Sequence, residues 1–225
     1  MSITTTTLTR GAALAAALAG LAYVLIQFIH PADVIGSLST QAWVKVHILS
    51  FAEAVLALIG VTGLYLFQVR RVGILALSGY LMFGFFFILQ AAFNFAEALI
   101  APLIAVSAPQ LAVDFVGLFG RYPSQTDLGA LGALPLVGAI LYVGGALLIG
   151  IAIIRARMLS RGAAILLIVA AAVTPLAALL PHTLERMAAV PMGLALAWLG
   201  YSLWMNSGTN TSPLTPTDSE RIAAN

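Results

Sequence analysis

Three consecutive stretches decide the fold: AWVKVHILSFAEAVLALIGVTGLYLF (Ala42–Phe67), QVRRVG (Gln68–Gly73) and ILALSGYLMFGFFFILQAAFNFAEALI (Ile74–Ile100). Two apolar runs flank a short turn that carries Arg70 and Arg71. A helix needs about 20 predominantly apolar residues to cross hydrocarbon, and each run is long enough. Neither run alternates with period two, which argues against an outer-membrane barrel. With no water in the bilayer core to satisfy backbone groups, the helix is then the conformation left. The turn is too short to separate the two helices, so they are expected to be antiparallel neighbours.

Working outward, four more apolar runs appear at Gly11–Ile29, Gly129–Ile154, Gly162–Leu180 and Met187–Trp204. The chain therefore reads as an all-α integral membrane protein, a six-transmembrane-helix bundle with no soluble domain. Its spans lie at about 11–29, 42–67, 74–100, 129–154, 162–180 and 187–204, within a membrane domain over residues 1–206. Residues 207–225, rich in Thr, Ser, Asn and Pro, read as a disordered cytoplasmic tail. The first run is longer than a secretory signal core of about 7–15 residues, and no A-x-A site follows it, so a retained span is expected. Pro135 and Pro175 fall inside runs and are expected to kink them. The connection Ala101–Leu128 is long, with a candidate short helix over Pro109–Phe119 that reads as a lid or an interfacial helix.

Composition agrees. Of 225 residues, 61% are hydrophobic and 8% charged, with a mean hydropathy of +1.05; soluble domains carry about 25% charged residues. The net charge of +2 is scattered over short turns, which leaves no basic face for nucleic acid. The absence of cysteine excludes disulfides, thiolate nucleophiles and thiolate metal sites. Three histidines without i, i+4 spacing predict no metal site, and no cofactor motif is present. Arginines set the orientation. Arg10, Arg70, Arg71, Arg155, Arg157, Arg161 and Arg221 fall at one set of span ends, and Lys45, Arg121 and Arg186 at the other. The sequence thus predicts a multi-pass protein of the cell membrane with both termini in the cytoplasm.

Ionisable and amide side chains inside the second and third spans form the only constellation with chemical potential. Gln90, Asn94 and Glu97 share one face of the third span at i, i+4, i+7. His47, Ser50 and Glu53 make a slanted stripe on the second, with Lys45 further out. Counting outward from the shared turn at about 1.5 Å per residue places the stripes at similar depths. Lys45 is then expected level with Glu97, and His47 with Asn94. A carboxylate in hydrocarbon costs at least about 2.5 kcal/mol and calls for a reason.

One reason is an outward-opening pocket in which Glu53 and Glu97 act as acid and base while Gln90, Asn94, His47, Ser50 and Lys45 contact a ligand. The aromatic patch Tyr80, Phe83, Phe85, Phe86, Phe87, Phe93 and Phe95 is then expected to wall it. The alternative is helix glue, polar side chains bonding one another across the bundle. Lys45 also reads as snorkelling to headgroups beside Trp43. Three functions stay open at this level: binding or conversion of a small hydrophobic molecule, proton- or ion-coupled transport, and a non-catalytic assembly subunit. In the last, the small-residue faces of the fourth and fifth spans would contact another chain.

Overall fold

The computed structural model describes residues 3–119, 124–177 and 186–208, and among them every regular element is helical. The elements are α1 (Thr5–Ile29), α2 (Ile35–Leu38), α3 (Gln41–Gln68), α4 (Gly73–Leu99), α5 (Ala101–Ser107), α6 (Pro109–Val116), α7 (Leu134–Ala156), α8 (Arg161–Ala177) and α9 (Val190–Asn206). Short 3₁₀ turns, Val69–Arg71 and Gly129–Ala133, precede α4 and α7. Four helical stretches are long and apolar enough to cross a membrane: Thr5–Ile29, Gln41–Arg71, Gly73–Leu99 and Gly129–Ala156. Helices α8 and α9, at 17 residues each, are shorter.

The long helices form a closed ring, each against its neighbour in the chain and α9 back against α1. Residue size explains the packing. Helix α1 turns Ala12, Ala13, Ala16, Ala19 and Gly20 inward and leaves Leu14, Leu18, Leu21 and Leu25 outside. Lipid tails are as apolar as leucine, so helices in a bilayer gain by close backbone approach through small residues. A Cβ on Gly20 would meet the Gly193 carbonyl oxygen at 2.3 Å, and one on Gly200 the Ala13 carbonyl oxygen at 2.6 Å. The small residues of α7 are spent in the same way. Gly145 lies against the Phe83 backbone and Gly150 against Ile168. Those glycine positions are therefore occupied within this chain.

Local sequence sets the helix ends. Thr4 and Thr40 accept hydrogen bonds from the backbone N–H groups of Thr7 and Trp43 and so cap α1 and α3. The turn into α4 uses Gly73 at φ +45°, a conformation that favours glycine. Pro135 does not kink a span; it occupies the first turn of α7, where its missing N–H has no intrahelical partner to lose. Pro175 lies in the last turn of α8. The fifth apolar run's end at 178–180, the following turn with His182 and Glu185, Arg121, and the tail from residue 209 lie outside the described residues.

At the end of the bundle opposite Arg70, α2, α5 and α6 form a small cap. Leu38, Trp43, Ala101, Ala112 and Val116 are its buried core. The long connection thus holds two helices, α5 as well as the expected one. Trp43 is not an interfacial residue beside Lys45. It is fully buried under the cap, and its indole N–H donates to the Glu97 carbonyl oxygen at 2.7 Å. Asp114, buried on α6, accepts from the Gln110 side chain at 3.0 Å and from the backbone N–H groups of Gln125 (3.1 Å) and Thr126 (2.7 Å). The Thr126 side chain first, and these bonds after it, hold the carboxyl down at about 2, and the bonds tie the loop to the cap.

Candidate functional site

Beneath the cap lies a cavity of about 370 Å³ among α1, α3, α4, α6 and α7. Its polar wall carries Glu53, Gln90, Asn94, Ser50, Gln27 and His30, and its apolar wall Phe86, Leu89, Phe93, Val116 and Phe119. Asp33 and Arg186 also line it.

Helix α3 delivers Glu53 to the cavity fully buried. Oε2 accepts a hydrogen bond from Gln90 Nε2 of α4 at 2.8 Å. Oε1 is buried without a hydrogen-bond partner among the described residues, and so is Oε1 of Gln90. One carboxyl oxygen is therefore held and the other is uncommitted, an unusual state for a buried polar atom. Asn94 Nδ2 donates to the Gln90 carbonyl oxygen at 2.8 Å and Ser50 Oγ to that of Val46 at 3.0 Å. Both bonds are within one helix, so neither side chain joins the two spans.

Glu97 and His47 form a second pair. His47 Nδ1 lies 2.8 Å from the Trp43 carbonyl oxygen; a carbonyl only accepts, so Nδ1 carries the hydrogen. In the neutral ring Nε2 then presents a lone pair. It lies 3.5 Å from Glu97 Oε2, too far for a hydrogen bond in this geometry. His47 is fully buried between the ring of Trp43, centroids 4.0 Å apart, and that of His30, at 4.9 Å. Glu97 lines the cavity, whereas His47 stands behind it.

The two stripes thus meet, with a shift from the expected levels. Glu97 faces His47, not Lys45. Helical backbone continues past Phe67 through Gln68 and the 3₁₀ turn to Arg71, so the midpoint of the hairpin lies towards α4 and the partners move by two or three residues. Lys45 is exposed and does not line the cavity. The aromatic patch divides: Phe86 and Phe93 line the cavity, Phe83 and Phe87 are buried in the core, and Phe85 and Phe95 are exposed. Tyr80 stacks on Tyr65 at 4.8 Å, away from the site.

Sequence reading missed the contribution of α1 and of the rim. Tyr23, Gln27 and His30 enter from α1. Tyr142 Oη lies 3.3 Å from Thr174 Oγ1. At the rim Arg186 Nη2 donates to Asp33 Oδ2 at 3.0 Å, and His30 Nδ1 lies 3.9 Å from Asp33 Oδ1. Burial, and secondarily the Arg186 guanidinium, lowers the His30 pKa below its ordinary 6.5. The i, i+4, i+7 series Tyr23, Gln27, His30 was visible on α1, but nothing local ties it to the α3 and α4 stripes. Among the described residues no cluster of three or more His, Cys, Asp or Glu is placed to hold a metal ion.

Comparison with protein families, curated proteins and solved structures finds no match for this chain.

Proposed function

We propose that this chain is a six-span protein of the cell membrane that holds a small hydrophobic molecule in the cavity under Asp33 and Arg186, with Glu53 exchanging a proton with its polar group. The observation that carries this reading is the uncommitted Glu53 Oε1 at the wall of a cavity whose other side is aromatic. The volume of about 370 Å³ falls within the range of small-molecule sites, about 300–1,000 Å³. Phe86, Phe93 and Phe119 suit an apolar body, and Gln27 and Asn94 suit a hydroxyl or carbonyl. Gln90 fixes Oε2, so a proton passes between the ligand and Oε1 and returns by the same route. Glu97, with the His47 lone pair behind it, is the second acid–base group of the site.

Coupled transport would require access to Glu53 from both ends of the bundle. On the Arg70 side, Val61, Leu64, Phe83 and Ile149 are all buried and fill the core between Glu53 and that end. This favours binding or conversion over transport.

Native mass spectrometry of gently extracted protein tests the reading, wild type beside Glu53→Gln. That variant keeps an acceptor for Gln90 and loses the exchangeable proton. A discrete added mass on the wild type, lost or diminished in the variant, is expected. A bare mass for both proteins, or the same adduct on both, overturns the assignment to Glu53.

The orientation proposed, termini in the cytoplasm and the cavity opening outward, rests on seven arginines at one set of span ends against three basic residues at the other. Because the chain has no cysteine, single cysteines at the exposed Ile3 and Ser124 report on it. An impermeant maleimide outside intact cells is expected to label Ser124→Cys and spare Ile3→Cys; the reverse pattern inverts the topology.

A further inference from the structure

A second cavity, of about 460 Å³, lies at the opposite end of the bundle. Thr5, Thr6 and Thr9 of α1 line one side, Gln68, Arg70 and Arg71 the other, with Ser207 completing the polar surface. Gln68 is the informative residue. It is 1% exposed, and neither its amide nitrogen nor its amide oxygen has a hydrogen-bond partner among the described residues. A buried primary amide with both ends unbonded is costly, of the order of 1–3 kcal/mol per unsatisfied group. Its place at the wall of a cavity suggests that a ligand supplies what the fold does not.

The charges say what kind of ligand. Arg70 and Arg71 are exposed at the end of the 3₁₀ turn, and none of the ion pairs among the described residues involves them. Two guanidinium groups, the Thr5 and Thr6 hydroxyls and a buried amide N–H form a cluster rich in donors, while Thr9 Oγ1 donates within α1 to the Thr5 carbonyl oxygen at 2.9 Å. Phosphate oxygens accept from such a cluster, and paired guanidinium forks suit phosphate geometry. A cation would be repelled, and an uncharged apolar molecule would leave the buried Gln68 amide unmet. Leu66 and Phe67 line the same cavity, and Leu66 is 58% exposed on the bundle exterior. An apolar strip therefore runs from the donor cluster along the surface where lipid tails would lie.

We propose that this cavity is a binding site for a phosphate group, that of an anionic phospholipid head group whose acyl chain lies along Leu66. Gln68 and Arg71 hold the phosphate, Arg70 adds charge, and the α1 threonines close the site from the other side. This site is separate from the cavity around Glu53 and does not depend on what that cavity binds.

The full chain in mild detergent is titrated with phosphatidylglycerol, with phosphatidylcholine and with inorganic phosphate, and adducts are read by native mass spectrometry. The test variant is Arg70→Gln with Arg71→Gln; both positions are exposed, so folding is expected to survive, and far-ultraviolet circular dichroism checks it. The control is Arg155→Gln with Arg161→Gln, the same loss of charge at exposed residues outside the cavity. Wild type and control are expected to retain phosphatidylglycerol in preference to phosphatidylcholine, with binding to the test variant weaker by about tenfold or more, equivalent to about 1.4 kcal/mol. Gln68→Leu is expected to weaken binding without changing net charge. Retention of inorganic phosphate without lipid, lost in the same variants, keeps the phosphate site and assigns it to a free ion. Equal retention of both lipids, or equal loss in test and control variants, overturns the proposal.

Discussion

Gln90 Nε2 of α4 donates to Glu53 Oε2 of α3 at 2.8 Å, a direct hydrogen bond between the two polar stripes. It leaves the other carboxyl oxygen buried and unbonded at the cavity wall. A residue serving only as glue between helices would be expected to use both oxygens, since each unmet acceptor costs more in a low-dielectric interior.

The strength of that bond is measurable with a double-mutant cycle of Glu53→Leu and Gln90→Leu. Side-chain hydrogen bonds in helical membrane proteins average about 0.6 kcal/mol and reach about 1.7. A coupling energy in that range is expected from reversible unfolding in mixed micelles. A coupling of zero within error would show that the pair does not join the helices in solution.

The α1–α9 contact depends on the absence of side chains. Gly20→Ala places a Cβ 2.3 Å from the Gly193 carbonyl oxygen, so the helices must move apart. A loss of about 1–3 kcal/mol, the usual cost of overpacking, is expected. Gly11→Ala, with nothing within 4 Å of its Cβ, is expected to stay within about 0.5 kcal/mol of wild type. Thermal unfolding of the two variants side by side tests the contrast; equal stabilities would refute the packing.

Asp114 makes the cap sensitive to acid. Its folded pKa is held near 2 against an ordinary 3.8, with the Thr126 hydrogen bond the leading cause. For a depressed carboxyl the stabilisation is complete above the ordinary value and is lost as the pH falls through the folded one. The loop at 124–127 is thus expected to stay ordered at pH 5 and to detach between about pH 4 and pH 2. The Thr126 amide resonance followed by NMR should titrate with a midpoint near 2 and lose this behaviour in Asp114→Asn. A midpoint near 4 in the wild type would show that the hydrogen bonds do not form.

His30 reports on the rim. Its pKa is lowered by burial and then by Arg186. Arg186→Gln removes a repelling cation and frees Asp33 from its 3.0 Å partner, and both changes favour the imidazolium. An upward move of the His30 midpoint is expected in a proton NMR titration. An unchanged midpoint would mean that the guanidinium does not sit beside the ring.

Much of the architecture was legible in the linear chain. The apolar runs marked the positions of the long helices, because a helix able to cross hydrocarbon needs about 20 predominantly apolar residues. The i, i+4, i+7 spacing of Gln90, Asn94 and Glu97 placed them on one face, and helix geometry required it. Two details went astray for local reasons. Pro135 falls inside a run because the preceding Gly129–Leu134 stretch is apolar too, yet the helix proper begins beside it. Trp43 looked interfacial because α2, α5 and α6, which bury it, are short helices in the connections rather than spans.

The sequence by itself determined an all-helical chain with helices long and apolar enough to cross a membrane, and with carboxyl and amide groups in its second and third apolar runs. Periodicity and length are local properties, and the bilayer's demand for internal hydrogen bonding makes them decisive. Only the tertiary structure decided the rotation of α3 against α4, which pairs Glu53 with Gln90 and Glu97 with His47. It alone brought Tyr23, Gln27 and His30 of α1 to the same cavity and joined Asp33 to Arg186 across 153 residues. Rotation and distant pairing depend on how alanine and glycine faces nest between helices, and that fit is a property of the assembled bundle rather than of any one of its segments.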